Sequence, residues 1–405
     1  MSDLPRMLYV CDFPPANKGG GDTLLMRLLE GYPADSLLLA VSHRRADDIP
    51  QGPFHACEYL GLHEFTGRKR HGMAQLLLLL DRLLIPFHAL RLAWYARKWK
   101  PEIILTVAHG YLFLAAHLCA VLCRLPVVMI VHDDWAELER YVRLFRPLLK
   151  PLFRWSLRRS AHLYAVSEAM VEHLKKTYGV NATLQLPATF PSDPPPEPRP
   201  PRSPSEPVRI LYAGMIYNTV FESLDLLAKT LLRRSNNNSD PQPAVQLHIY
   251  SPLSQDELDK FGWTSPVVQA KGWVDPRTLR PVLEAADILF LPISFANGGG
   301  CYASTSFPSK VADYLAAGRP ILVLAPESAA AAQYLQRHGC AIVLSALQEG
   351  PLGEAIQRFL LDATYVADLS RRSLQLFHQR HNIEIQRADF HHTLKQVVRP
   401  CRRIP

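Results

Sequence analysis

Short apolar runs alternate with longer amphipathic stretches along most of the chain. In the first half, Leu8–Phe13, Ser36–Ser42, Ile103–Ala108, Val127–His132, His162–Val166 and Thr183–Pro187 read as strands, and helical patterns follow several of them. The pattern then stops: Phe190 to Pro207 reads FPSDPPPEPRPPRSPSEP, too proline-dense for a helix or a central strand, and predicts an extended linker. Beyond it the alternation restarts with strands at Arg209–Ala213, Gln246–Tyr250, Val267–Ala270, Ile288–Pro292, Ile321–Leu324 and Ala341–Leu344. Strands alternating with helices predict an α/β fold with a parallel, doubly wound sheet in each half. A last helix, roughly Ile383–Val398, is expected to cross back onto the first domain. The expected division is a first domain over 1–190, a linker over 191–207, a second domain over 208–382 and the returning helix within 383–405. Two such halves are expected to hold a ligand in an interdomain cleft, between the carboxyl ends of both sheets.

A length of 405 residues suits two domains better than one core. With 48% hydrophobic and 20% charged residues the chain reads as well packed, not disordered or fibrous. Its formal charge of +8 attracts anionic partners. Nucleic acid is set aside, because the basic residues flank apolar helices without a recognised binding motif. Seven cysteines, odd in number and mostly embedded in apolar runs, predict reduced thiols and a cytoplasmic setting. Cys119 and Cys123 lie four apart in an apolar helix and read as core rather than as a metal pair. Met1–Pro5 lacks the segments of a secretory signal, and the apolar stretch Leu76–Trp94 is broken by Asp81, Arg82, Pro86, His88 and Arg91, which makes it a poor membrane span.

The strongest local signal is TSFPSKVADYLAAGRPILVLAP, Thr305 to Pro326, after the apolar run Ile288–Pro292. The segment Ser294–Pro308 reads as a loop holding Gly298, Gly299 and Gly300, with a helix opening near Pro308 or Ser309. A helix start presents free N–H groups and a positive dipole end, a seat for a diphosphate. Lys310 adds a cation there, and Asp313, one turn on, can accept hydrogen bonds from ribose hydroxyls. The plainer alternative is an amphipathic helix with Gly318 as its carboxyl cap, followed by a buried strand.

The run from Pro308 to Pro320, PSKVADYLAAGRP, resembles the donor-binding signature of family 4-like GT-B glycosyltransferases, P-x-K-x-x-E-Y-L-A-x-G-x-P. Ala161–Glu168 and Leu283–Ile288 resemble two further segments of that family, in the same order. The resemblance implies two Rossmann-like domains, a nucleotide diphosphate sugar as co-substrate and a donor site in the second half. It implies that Gly214 lines the donor phosphates and that Asp313 takes the ribose role of the second glutamate in a pair seven residues apart. The first glutamate's place falls on Thr305, which carries no charge. The basic pair usual after Gly214 is replaced by Met215 and Ile216, which leaves the phosphate charge to Lys310, helix dipoles and Lys18. Ser306 and Ser309, beside Lys310, complete the expected donor set.

In the first half, Lys18-Gly19-Gly20-Gly21-Asp22 sits between a strand and a helix. Its glycines let backbone N–H groups approach a phosphate or sugar oxygen, or form a plain flexible turn. The resemblance favours the first and makes Gly20 and Gly21 donor-contacting. His132 ends an apolar strand and precedes Asp133 and Asp134; at that place it can bind a sugar hydroxyl or move a proton, and the resemblance puts an active-site histidine there. His132, Asp133 and Asp22 are the candidate catalytic groups, with His109 a second candidate histidine. Two basic, apolar-interleaved stretches, Gly67–Lys100 and Arg140–Arg159, fit helices lying on an anionic membrane, and also ordinary half-buried helices.

The expected activity is transfer of a sugar from a nucleotide diphosphate donor to a lipid-linked, polysaccharide or other glycan acceptor, at the inner membrane face. No cofactor is expected, and no metal, since no Asp-x-Asp motif precedes the donor loop. The rival readings are a GT-B-shaped nucleotide-sugar epimerase and a degenerate nucleotide-sugar binding protein.

Overall fold

The structure, a computed structural model, describes residues 4–16, 21–42, 54, 56–62, 80–138, 146–194, 196, 206–236, 244–295 and 300–398. Two compact units emerge: 1–187 with 305–309 and 383–405, and 188–304 with 310–382.

The first unit is built on seven strands: β1 (Met7–Cys11), β2 (Leu37–Ser42), β3 (Glu58–Leu62), β4 (Ile103–Val107), β5 (Val127–Val131), β6 (His162–Ala165) and β7 (Thr183–Leu184). All pair in parallel, in the order β3-β2-β1-β4-β5-β6-β7. Strands β1, β2, β4 and β5 are buried at every position, as a sheet covered on both faces requires. That explains their unbroken apolar runs, and each fully buried aliphatic side chain contributes about 1.5–3 kcal/mol. The strand β3 was not among the expected strands. It lies at the sheet edge, where only alternate residues, Leu60 and Leu62, reach the core.

Helix caps follow the chain's chemistry. Ser167 opens Glu168–Tyr178 by accepting the N–H of Met170, and Gly179 closes it in a left-handed conformation. The helix Ile383–Val398 packs in this first unit: Arg387 Nε donates to Arg27 O at 3.1 Å, and Phe390 is fully buried near Tyr164.

The second unit carries β8 (Val208–Ala213), β9 (Val245–Tyr250), β10 (Val268–Ala270), β11 (Ile288–Pro292), β12 (Ile321–Leu324) and β13 (Ala341–Leu344). Again all pairs are parallel, ordered β10-β9-β8-β11-β12-β13. Asp287 binds the N–H of Arg209 at 2.7 Å, so the acidic residue of the Ala286-Asp287 motif ties β11 to β8. Phe190 and Ser192, the start of the proline-rich stretch, belong here. Arg280 donates to Phe190 O and to Ser192 Oγ, both at 2.9 Å, and Ser192 donates to Glu284 at 2.8 Å. Most of the remaining stretch, 195 and 197–205, lies outside the described residues.

Two local expectations change. The segment read as a loop before Pro308 contains a helix, Gly300–Thr305, and the helix carrying Lys310 spans Lys310–Ala317, so Pro308 and Ser309 precede it. The strand expected to reach Pro187 ends at Leu184.

Candidate functional site

In the second unit, β8 ends where Gly214 turns with φ +141°, a conformation that favours glycine. A Cβ there would meet Lys310 Cε at 2.8 Å and lie closer still to its Nζ. The missing side chain is thus what lets the lysine reach the end of β8. Its ammonium donates to Tyr212 Oη at 3.2 Å and lies 4.4 Å from that ring's centre. Tyr212 is fully buried and its hydroxyl donates a hydrogen bond to Met215 O at 2.7 Å. Lys310 therefore sits at the end of a short chain of hydrogen bonds, with no carboxylate in ion-pair distance among the described residues. Burial pulls its pKa down to about 8.

The helix behind it is fixed from both ends. Tyr314 Oη donates to Phe290 O of β11 at 3.2 Å, and Gly318, φ +62°, closes the helix against Leu374. Asp313 is half-buried in the first turn and Ser309 half-buried just before it. Lys310 and Gly214 thus meet at the carboxyl end of β8, and Asp313 lies one turn along the same helix, at the kind of strand end where parallel sheets bind ligands.

The first unit holds the other candidates. His132 follows β5 directly, and a Cβ on Gly21 would collide with its ring, so the helix Gly21–Leu29 approaches it through a position only glycine fills. His132 Nε2 is buried and meets no hydrogen-bond partner among the described residues. Burial, with a smaller effect of His109, lowers its pKa to about 4, so the ring is neutral at ordinary pH. Asp22 stands in the first turn of the same helix. Gly20, Gly19 and Lys18 lie outside the described residues.

Asp133 and Asp134 are adjacent but different. Asp134 is buried and saturated: it accepts the N–H of Ala136 at 3.0 Å, His173 Nε2 at 2.7 Å and Tyr178 Oη at 2.9 Å. It is a structural hub. Asp133 accepts from Ser306 Oγ; burial raises its pKa, the Ser306 bond opposes that rise, and the charge of Asp134 adds to it. Ser306 thus lies beside Asp133. Its segment, 305–309, is held in this unit by a second bond, from Ser167 Oγ to Thr305 O. Thr305 itself is only 5% exposed. Among residues not singled out from the sequence, Tyr212 supports Lys310, and Asp12 accepts the N–H groups of Tyr111 and Leu112, both at 3.2 Å. His109 packs edge-on against Phe13, with ring centres 5.1 Å apart.

Two parallel α/β units with these strand orders, each with polar residues at the carboxyl ends of its strands, define the GT-B class. Residues 23–184 match the model of Glycosyltransferase Family 4 and residues 207–362 that of Glycosyl transferases group 1, together most of the chain. The chain belongs to these GT-B glycosyltransferases.

Solved structures of low identity share the fold. Anabaena HepE in complex with UDP-glucose superimposes with a TM-score of 0.65 at 14% identity, covering 96% of this chain and 99% of that one. Sucrose-phosphate synthase from Thermosynechococcus elongatus gives 0.65 at 14%, covering 96% and 98%. The lipopolysaccharide outer core galactosyltransferase WaaB gives 0.58 at 13%, covering 92% and 95%. No curated protein matches the sequence.

Proposed function

We propose that this glycosyltransferase takes its sugar from a nucleoside diphosphate sugar held on the second unit, and delivers it to a lipid-linked or other glycan acceptor at an anionic membrane face. The observation that carries the donor half is Lys310: a desolvated ammonium at the end of β8, braced by Tyr212 and lacking a carboxylate partner among the described residues. A desolvated, half-buried cation without a counter-ion is costly, and a bound diphosphate supplies the missing charge. Asp313, in the first turn of the helix, is the carboxylate for the ribose hydroxyls, and the free N–H groups at the start of the Lys310–Ala317 helix take the phosphates. That HepE was solved with UDP-glucose and with UDP makes a uridine diphosphate sugar the first donor to test. WaaB, named as a galactosyltransferase of lipopolysaccharide, motivates the glycan acceptor.

During transfer the bond from the anomeric carbon to the phosphate oxygen breaks, the nucleoside diphosphate leaves with the electron pair, and the acceptor oxygen bonds to the sugar. Lys310 stabilises the charge on the leaving diphosphate, with no metal required by this scheme. On the first unit, neutral His132 offers one N–H and one lone pair to a sugar hydroxyl, and Asp133, with its raised pKa, accepts the acceptor's proton. Calorimetric titration of UDP-sugars into wild-type protein and Lys310→Ala tests the donor site. Binding is expected in the first and lost in the second, and equal affinity in both removes Lys310 from the site. Slow Lys310-dependent release of UDP without acceptor separates an enzyme from a protein that only binds.

A further inference from the structure

On the helix Ile85–Trp99, one face is buried through Ala89, Leu92, Ala93 and Ala96, while Phe87, Leu90 and Trp94 stand 66%, 60% and 51% exposed on the other. Their spacing of three and four residues makes them a single stripe, extended backwards by Leu83, also 56% exposed. A solvated helix face normally carries polar residues, so a continuous stripe of large apolar ones marks a contact surface.

The stripe leads into a charged cavity. Arg97, three residues beyond Trp94, lines a cavity of about 480 Å³ with Lys100 and Arg124, together with Leu122 and Leu125. The cavity forms where two helices, Ile85–Trp99 and Leu112–Cys123, end side by side near the amino ends of β4 and β5, at the opposite end of these strands from His132. Their caps, Lys100 and Arg124, take left-handed conformations with φ 55° and 56°, where glycine is the usual occupant. Basic residues near helix carboxyl ends balance the dipole, but each end carries only about half a negative charge. Arg97, Lys98, Lys100 and Arg124 exceed that, and none has a carboxylate partner among the described residues. Lys98 Nζ instead lies 3.5 Å from the centre of the Trp94 ring, a cation and aromatic side by side at the edge of the stripe.

We propose that this face docks the protein on an anionic lipid bilayer, with Phe87, Leu90 and Trp94 entering the interface and the Arg97, Lys100 and Arg124 cavity receiving a phosphate headgroup. The inference deepens the acceptor half of the preceding reading and rests on it only for the acceptor's membrane location. Charge decides the occupant: an apolar stripe alone would suit another protein, but one ringed by unpaired cations matches a surface that is apolar within and anionic at its rim. Among the described residues no helix is long and apolar enough to cross a membrane, so attachment of this kind is interfacial.

The test is co-sedimentation of the full chain with phosphatidylcholine vesicles with and without phosphatidylglycerol. Wild type is expected to pellet with the anionic vesicles and to be released by salt. Lys100→Gly combined with Arg124→Gly removes two charges at positions whose backbone favours glycine, so folding is preserved. That variant is expected to bind about 25-fold more weakly, roughly 5-fold per charge. Leu90→Ser with Trp94→Ala is expected to weaken binding to both kinds of vesicle. Calorimetric donor affinity, measured without lipid, is expected to stay unchanged in both variants, so loss of vesicle binding is separable from failure of the donor site. The proposal is overturned if wild type stays in solution with anionic vesicles, or if the double glycine variant pellets as wild type does. It is equally overturned if inorganic phosphate raises the melting temperature through these residues while vesicles bind nothing.

Discussion

If a diphosphate is held by Lys310, donor affinity must fail as that lysine loses its proton, and the structure says where. Burial of the ammonium against Tyr212 brings its pKa from 10.5 to about 8. At pH 7 about nine-tenths of the free protein then carries the charge, and at pH 9 about one-tenth. A diphosphate that binds only the cationic form therefore loses affinity about tenfold between those values, and about tenfold more per unit until the pKa of the complex is reached. Stability without donor runs the other way. The folded pKa lies below the unfolded one, so between pH 8 and 10.5 the unfolded chain binds the extra proton and stability rises with pH, by at most on the order of 3 kcal/mol. The assay is calorimetry with UDP-glucose from pH 6.5 to 9.5 for wild type and Lys310→Arg, with melting temperatures of the free proteins in the same buffers. Arginine keeps its charge throughout, so its affinity is expected to stay flat where wild type falls. Parallel slopes for the two proteins would assign the pH dependence to the ligand or to another group and refute the reasoning.

Gly214→Ala forces a side chain into a backbone conformation that costs roughly 1–3 kcal/mol and displaces the ammonium, so a lower melting temperature with donor binding at least about tenfold weaker is expected by thermal shift and calorimetry. In a Lys310→Ala background the same change is expected to cost stability but no further affinity, because the displaced group is gone. Ser306→Ala removes the hydrogen bond that opposes the raised pKa of Asp133, so the acid limb of the kcat profile is expected to move to higher pH while donor affinity holds. His132→Ala is expected to lower kcat about 10²- to 10⁴-fold with little change in donor binding; equal loss of both assigns His132 a structural role.

The sequence made most of the fold legible because parallel strands covered on both faces must be apolar at every position. Thus Val127–Val131 and Ile288–Pro292 announce themselves. Strand β3 does not, since an edge strand with Gly61 and two inward leucines carries too weak a pattern. The helix Gly300–Thr305 was hidden behind a glycine triplet that reads as a turn. At the site, Lys310 was readable from motif spacing, but Tyr212 was not, since in an apolar strand a tyrosine looks like core until its hydroxyl is seen beneath the ammonium. Nor can sequence sort Asp133 from Asp134. That decision belongs to His173 and Tyr178, some forty residues away, which claim one carboxylate and leave the other to Ser306.

The replacement of the usual basic pair by Met215 and Ile216 bears on how one lysine can serve a diphosphate. In water a single exposed ammonium contributes little to an ion pair, because the solvent screens it. Lys310 is not in that situation: it is desolvated, braced by a buried hydroxyl, and reached through a glycine that leaves no side chain in the way. Low dielectric strengthens its attraction to an anion by the same physics that depresses its pKa. On the proposed reading, one partly buried and desolvated cation is worth more to a diphosphate than an exposed one, provided the pH stays below the lysine's own pKa. If the donor is held there as proposed, the uncompensated charge destabilises the free protein and a bound diphosphate restores that stability.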